Sequence, residues 1–215
     1  MQETTTKIGE HVLPNIDYLG QSTIDSASAL YTIKLYKPEE YFANIESRTN
    51  FINGVERLVR SSDRYSKYKN HLMHEVGLGH CAVLKGLTED DCDIELHHGP
   101  VFTLFDICSI IVEYYILRRW KITTFRIADT VLTEHELDRV NCVMLSSSVH
   151  EQVHLRNVFI SMKQTWGDIE AFIEKYYDAI GPELRMKYNR YFDRSLLEDS
   201  DDNGMFMLNP YLLSN

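Results

Sequence analysis

Four of the nine histidines stand in two pairs whose spacing suits a metal site. His97 and His98 are adjacent at the end of the segment DIELHH, and His150 and His154 are four residues apart in SSSVHEQVH. Residues four apart on a helix share a face, with Cβ atoms about 5–6 Å apart, so two imidazoles can converge on one ion. His97, at the end of a strand that faces this helix, can supply a third ligand.

The fourth histidine, His98, would then lie beside the ion without binding it. An imidazole has the pKa near neutrality that a general base needs to take a proton from water. Strict alternation along a strand, however, would send His97 and His98 to opposite faces. A single helical histidine is more often a packed or surface residue than a ligand, but two pairs separated by apolar elements favour a site.

Hydrophobic periodicity indicates the elements that must position these histidines. Helices are predicted from Pro38 to about Val59 with a break near Gly54, and over 63–76, 103–120, 149–156, 168–179 and 182–197. Strands are predicted over 29–36, 81–84, 93–97, 123–127, 142–145 and 158–162, after an irregular arm at 1–25. Ser146 to Ser148 offer an N-cap to the helix that carries His150 and His154.

From residue 92 to residue 154 the chain resembles the HNH, or His-Me finger, nucleases of the ββα-metal type. Their signature is a strand ending in a histidine pair, a later asparagine, a short strand and a helix with H-x-x-x-H. The matching residues here are His97, His98, Asn141, the segment CVMLSSSV, His150 and His154. The segment IELHHGPVFTLFDI also resembles HNH proteins encoded by large bacteriophages.

This resemblance implies a role for each signature residue. His97, His150 and His154 would bind one divalent ion, His98 would be the general base, and Asn141 would hold the connecting loop and so orient the base. The ion would stabilise charge that develops on the phosphate and the leaving 3′ oxygen. Three imidazoles favour zinc, nickel or manganese, whereas family members often use magnesium, so the metal is left open among these four.

The expected fold class is α+β, with a ββα-metal core and added helices. An N-terminal arm and helical extension is predicted for residues 1–70, the HNH core for 71–180, and a C-terminal helix with an acidic tail for 181–215. The segment between His98 and Asn141 is longer than in compact family members, so the core carries an inserted helix at about 103–120. We interpret that insertion as packing rather than as a specificity element.

The formal net charge of −10 argues against a general nucleic-acid coat. A nuclease needs only a local basic face for phosphate contacts, so DNA remains the expected partner. Basic residues concentrate in two segments, 57–70 and 118–126, whereas acids concentrate at 89–95 and 198–202. The candidate DNA contacts are Arg64, Lys67, Lys69, Arg118, Arg119 and Lys121.

The cysteine pattern and the hydropathy indicate an intracellular protein. The four cysteines contain no C-x-x-C pair, which favours reduced thiols over a zinc ribbon. No run of eighteen apolar residues predicts a membrane span, and the polar N-terminus lacks the pattern of a signal peptide. We therefore expect a cytoplasmic protein, in the host cytoplasm if it is phage-encoded. The oligomeric state is not predicted.

Two functions from different classes fit these observations. The first is a metal-dependent HNH endonuclease that cuts or nicks DNA. The alternative is a catalytically inactive HNH-like binding protein, such as a virion component or an inhibitor of host defence, which the net acidity and the long insertion favour. Retention of all signature residues favours the enzyme, and three histidine ligands leave an open position that structural zinc sites normally lack.

One acidic residue has two interpretations. Glu95 stands two residues before His97, on the same face of the predicted strand. It could hydrogen-bond a ligand histidine, or it could be a solvated strand residue.

Overall fold

The structure, a computed structural model, describes residues 36–197, with side chains for 36–195, and short strands in the two terminal segments. The strands are β1 (Lys7–Ile8), β2 (His11–Val12), β3 (Asn15–Ile16), β4 (Gln21–Thr23), β5 (Thr32–Lys34), β6 (Ile94–His98), β7 (Cys142–Ser146), β8 (Val158–Phe159) and β9 (Phe206–Met207). The helices are α1 (Glu39–Ala43), α2 (Ile45–Arg60), α3 (Asp63–Asn70), α4 (Leu104–Leu117), α5 (Thr124–Glu136), α6 (Ser147–His154), α7 (Ile169–Tyr176) and α8 (Pro182–Leu197). Most of the predicted arm and the acidic run at 198–202 lie outside the described residues.

The central pairing joins β6 and β7 in an antiparallel sheet. Its register places His97 opposite Val143 and His98 opposite Cys142. All five residues of β7 are buried, because Ala82 and Trp166 hydrogen-bond to its outer edge. The strand leads without a loop into α6, since Ser146 is both its last residue and the N-cap of the helix.

A helical layer supports this sheet. Helices α2, α4 and α5 pack on one another, and α2 buries Phe51, Ile52, Val55 and Val59 along one face. In contrast, α4 buries apolar residues on most of its circumference, because α2, α5 and α7 surround it. Buried residues from 42 to 180 form one hydrophobic core. The predicted α+β class is confirmed.

Four predicted elements differ from the structure. The break in the first helix lies at Asn44 rather than near Gly54, because the Asn44 side chain accepts from Ser47 N and caps α2. The predicted strand 123–127 is wrong: Thr123 caps α5, which buries Ile127 and Val131 one turn apart. The predicted strand 81–84 is also wrong, and only 158–159 of the strand predicted at 158–162 is extended and paired.

The remaining predicted helices fall where the sequence indicates. The helix over 63–76 ends in a π-helical turn at His71–Glu75, and the predicted inserted helix is α4. Because α5 follows it, the segment between β6 and β7 holds two helices rather than one. No helix of the described residues is long and apolar enough to span a membrane.

A fully buried carboxylate ties α5 to α7. Glu134 has no exposed surface, and its Oε1 accepts from Lys175 Nζ at 2.5 Å and from the Tyr176 hydroxyl at 2.9 Å. Arg139 Nη1 lies 3.6 Å from the other carboxylate oxygen. A buried charge is tolerated only when such partners compensate it.

Removing this carboxylate should destabilise the fold. We expect Glu134→Ala to lower the free energy of unfolding by about 2 kcal/mol, because the buried Tyr176 hydroxyl loses its acceptor and the ion pair with the more exposed Lys175 is lost. Glu136→Ala on the same helix is the control, since its ion pair with Arg64 is exposed, and it should cost at most about 1 kcal/mol. Urea denaturation of both variants would measure this, and equal losses would refute the assignment.

Candidate metal centre

Three of the four paired histidines meet at one point in the fold. His97 extends from the end of β6, and His150 and His154 extend from successive turns of α6. The His97 ring centroid lies 4.9 Å from that of His150 and 5.2 Å from that of His154, and the two helical rings are 4.6 Å apart. One ring nitrogen from each residue lies within 4.8 Å of the other two.

The spacing of the nitrogens fits a shared cation. The Nε2 atoms of His150 and His154 face each other at 3.0 Å. Two imidazole nitrogens bound to one tetrahedral zinc at 2.0–2.1 Å would be roughly 3.3 Å apart. Small side-chain rotations would therefore suffice to bring all three rings onto one ion.

Glu95 fixes the proton on His150. The Glu95 carboxylate accepts a hydrogen bond from His150 Nδ1, so the neutral ring carries its proton there and directs the Nε2 lone pair towards His154. This hydrogen bond is also the main cause that lowers the pKa of Glu95. A carboxylate behind a histidine is the usual support of a ligand imidazole, and it favours the first of the two interpretations of Glu95.

Exposure increases across the three rings. His97 is only 8% exposed, His150 is half-buried and His154 is exposed. Burial, with the two neighbouring histidines, lowers the pKa of His97 to about 3, so this ring is neutral at physiological pH. A neutral ring can act as a ligand, and the exposed side at His154 leaves the group accessible to solvent.

Close packing requires glycine next to His97. A Cβ atom on Gly99 would lie 2.7 Å from His97 Nε2, closer than nonbonded atoms approach. The chain turns tightly past the ring at this residue, and Gly99 N donates to Asn141 O at 3.4 Å. The two ends of the insertion therefore meet beside the histidine group.

His98 lies on the opposite face of β6, away from the other three histidines. It is 5% exposed, its ring stacks on Tyr65, and its Nε2 is 2.8 Å from His135 Nε2. His135 Nδ1 donates to Val131 O at 2.7 Å, so the neutral His135 accepts through Nε2 and His98 must donate. The remaining nitrogen of His98, Nδ1, is buried without a hydrogen-bond partner among the described residues.

Asn141 is buried at the start of β7, close to both ends of the insertion. Its Nδ2 donates to Thr165 Oγ1 at 2.5 Å, and its Oδ1 has no hydrogen-bond partner in the described part of the chain. The hydrogen bond to Thr165 holds the start of β7 against the loop that contains Thr165. No hydrogen bond joins the side chains of Asn141 and His98 in the described part of the chain, so orientation of His98 by Asn141 stays a prediction.

The six candidate DNA contacts fall in two separate regions, and two of them are engaged by other groups of the protein. Arg64 binds Asp129 and Glu136, and Lys69 donates to Ile94 O at 2.8 Å. Lys67 is exposed on α3. The other three, Arg118, Arg119 and Lys121, lie together in the connection between α4 and α5.

The role of His135 as the partner of His98 was not predicted from the sequence. Its partner His98 is 37 positions away in the chain, and the segment that carries His135 had no predicted helix. Only the periodicity of Ile127, Val131 and His135 on one face could have revealed that this histidine is buried.

Burial of His135 should make the fold sensitive to acid. Desolvation lowers the pKa of His135 to about 4, whereas an unfolded histidine titrates near 6.5. The unfolded chain therefore binds the proton first, and the free energy of unfolding falls as pH drops from about 6.5 towards 4. At pH 5 the protonation of this residue in the unfolded chain alone should lower the free energy of unfolding by about 2 kcal/mol.

His135→Gln, measured by denaturant titration at pH 7 and pH 5 with chelator present, should show a smaller loss between the two pH values than the wild type. His71→Gln removes an exposed histidine and should follow the wild type. An unchanged pH dependence in His135→Gln would mean that His135 does not stay neutral when folded.

Comparison with known proteins gives one match. Residues 14–208 match the model of the bacteriophage G278-like virion protein family. No curated protein and no solved structure matches the chain. The predicted association with bacteriophages is thereby confirmed, while the HNH resemblance stays a prediction. Since the match covers nearly the whole sequence, the chain belongs to the bacteriophage G278-like virion protein family.

Proposed function

We propose that this phage protein is a metal-dependent endonuclease of the HNH type, which hydrolyses phosphodiester bonds in DNA. The observation that carries the proposal is the convergence of His97, His150 and His154 from a strand end and the following helix. Three imidazoles with one exposed side form the kind of ligand set that leaves a coordination position open for substrate or water. An antiparallel strand pair followed directly by a helix also supports the ββα-metal interpretation.

Each residue of the proposed metal site would have its own role. His97, His150 and His154 would hold a divalent ion, with zinc, nickel, manganese and magnesium as candidates. When bound, such an ion supplies positive charge for phosphate oxygens and makes water more acidic. Glu95 keeps the His150 proton on Nδ1 and strengthens Nε2 as a ligand. Buried His97 anchors the site, and exposed His154 faces the side from which DNA would approach.

The general-base role proposed for His98 requires a rearrangement. In the structure this ring hydrogen-bonds to His135 on the other face of the strand. The end of β6 would have to turn before His98 could take a proton from water beside the ion. Without that turn, His98 would stay hydrogen-bonded to His135 and would supply no base to the site.

Plasmid nicking tests the proposal directly. Purified protein should convert supercoiled to nicked DNA with at least one of Mg²⁺, Mn²⁺, Ni²⁺ or Zn²⁺, and EDTA should stop the reaction. His150→Ala and His154→Ala should lower the rate by at least about a hundredfold, because each removes a ligand. His74→Ala, an exposed histidine outside the group, should keep the wild-type rate. No cleavage of this plasmid or of a single-stranded oligonucleotide with any metal would refute the enzyme.

His98→Ala belongs in the same assay. Loss of nicking with metal binding retained would support the general base and the rearrangement. Nicking within a few-fold of the wild type would assign His98 to packing.

Metal affinity tests the support from Glu95 independently of catalysis. Glu95→Gln should weaken metal binding by about tenfold to a hundredfold, since the amide holds the His150 proton less strongly than a carboxylate. Glu151→Gln is the control, because this exposed glutamate lies on the same helix and should bind like the wild type. Calorimetry with Zn²⁺ and Ni²⁺ measures both affinities, and equal values for the two variants would contradict the role of Glu95.

A second candidate is a virion protein that binds a metal ion without cleaving DNA. The buried position of His98 favours it, and so does membership of a family of virion proteins. This candidate predicts metal binding by the wild type, weakened in His150→Ala, with no nicking under any condition.

A further inference from the structure

The connection between α4 and α5 exposes apolar and basic side chains together. Leu117 is 52% exposed, Trp120 48% and Phe125 71%. Arg118, Arg119 and Lys121 lie between them in sequence. We refer to these six residues as the α4–α5 patch.

The patch is not a frayed end of the molecule. Trp120 packs edge-on against Tyr115 with ring centroids 5.1 Å apart, and the Arg118 guanidinium lies 3.4 Å from the Tyr114 ring centroid. Phe125 lies in the first turn of α5, which Thr123 caps. Both aromatic rings are therefore held on ordered backbone while much of their surface remains in water.

The chain segment that carries the patch bears charge of one sign. Sequence positions 114–128 contain no acidic residue, and the acids that flank this stretch are already paired, Glu113 with Arg48 and Asp129 with Arg64. Arg119 is exposed and has no ion-pair partner within the described residues. In a chain of net charge −10, this is a local surface suited to a polyanion.

We propose that the α4–α5 patch binds single-stranded nucleic acid, with bases stacked on Trp120 and Phe125 and phosphates near Arg118, Arg119 and Lys121. Exposed aromatic rings beside cations are the usual means of binding single strands without sequence preference. Duplex DNA would offer its phosphates but keep its bases stacked on one another, so the two rings would remain unused.

This inference rests on the proposed function, to which it adds the form of the substrate. It also gives the insertion a second use, since α4 packs in the core along most of its length but presents the patch at its far end. Helix α4 has 14 residues and is therefore about 20 Å long. The patch lies at the opposite end of this helix from Gly99, so binding there can be measured separately from the metal group.

The test is fluorescence anisotropy of a labelled oligothymidylate with the full-length protein in EDTA. Phe125→Ala should weaken binding by about tenfold, because one stacking contact is lost. It is the safer variant, since Phe125 is the more exposed ring, and Trp120→Ala should give a similar loss. Tyr177→Ala, an exposed aromatic outside the patch, is the control and should bind like the wild type.

Further arms of this experiment separate the alternatives. Arg119→Ala should reduce the slope of log affinity against log salt by about 0.7. A duplex of the same length should compete at least about tenfold less well. Wild-type affinity in both aromatic variants, stronger binding to duplex, or binding to vesicles of anionic phospholipid without binding to the oligonucleotide would each overturn the proposal.

The outcome is independent of catalysis. The double variant His150→Ala, His154→Ala should keep the affinity for the oligonucleotide while losing any nicking activity. Oligonucleotide binding that depends on Phe125, in a protein that never nicks DNA, would uphold the patch and reject the endonuclease. Nicking by the wild type, together with normal oligonucleotide binding by the patch variants, would support the endonuclease and reject the patch.

Discussion

The candidate site depends on the antiparallel pairing of β6 with β7. This pairing sets Ile94 opposite Ser146 and His97 opposite Val143. Because Ser146 ends the strand and is the residue directly before α6, the register also fixes where the first turn of the helix begins relative to β6. A shift of one residue would send His97 to the other face, and the group with His150 and His154 would be lost. Side-chain contacts refine the site, but the register creates it.

The same strand gives its two final histidines different environments. His97 lies against α6 and the solvent-accessible side, whereas His98 is enclosed by α3 and α5 with Tyr65 and His135. Alternation along the strand therefore couples the histidine group to the helical core. The insertion between β6 and β7 closes this arrangement: it supplies His135 to the core side, and its two ends meet at Gly99 and Asn141.

Local patterns predicted what depends on local structure. The i, i+4 spacing of His150 and His154 and the strand before Gly99 needed only neighbouring residues, and both are present in the structure. Ser146 stands at the N-cap position of α6, but its side chain makes no capping hydrogen bond there. The contacts that could not be predicted are long-range. Nothing near His98 in the sequence indicates that His135 is its partner. The β-branched residues of 123–127 suggested a strand, because the helix there is recognisable only from the cap at Thr123 and from the apolar face that α5 packs against α2. Arg64 likewise lies in a basic segment that predicted phosphate contacts, but in the structure its guanidinium is paired with two acids of α5.

The distribution of charge reconciles an acidic protein with the polyanionic substrate that we propose. Long-range repulsion from a net charge of −10 is screened beyond about 8–10 Å at physiological salt, so recognition is decided by the groups near the contact. The two acids that flank the patch in sequence, Glu113 and Asp129, are paired with Arg48 and Arg64, and the segment between them carries only cations. A divalent ion at the histidine group would add positive charge at a second point, where Glu95 is already engaged with His150. A strand of nucleic acid would then meet favourable charge at two separate places, although the surface as a whole repels it.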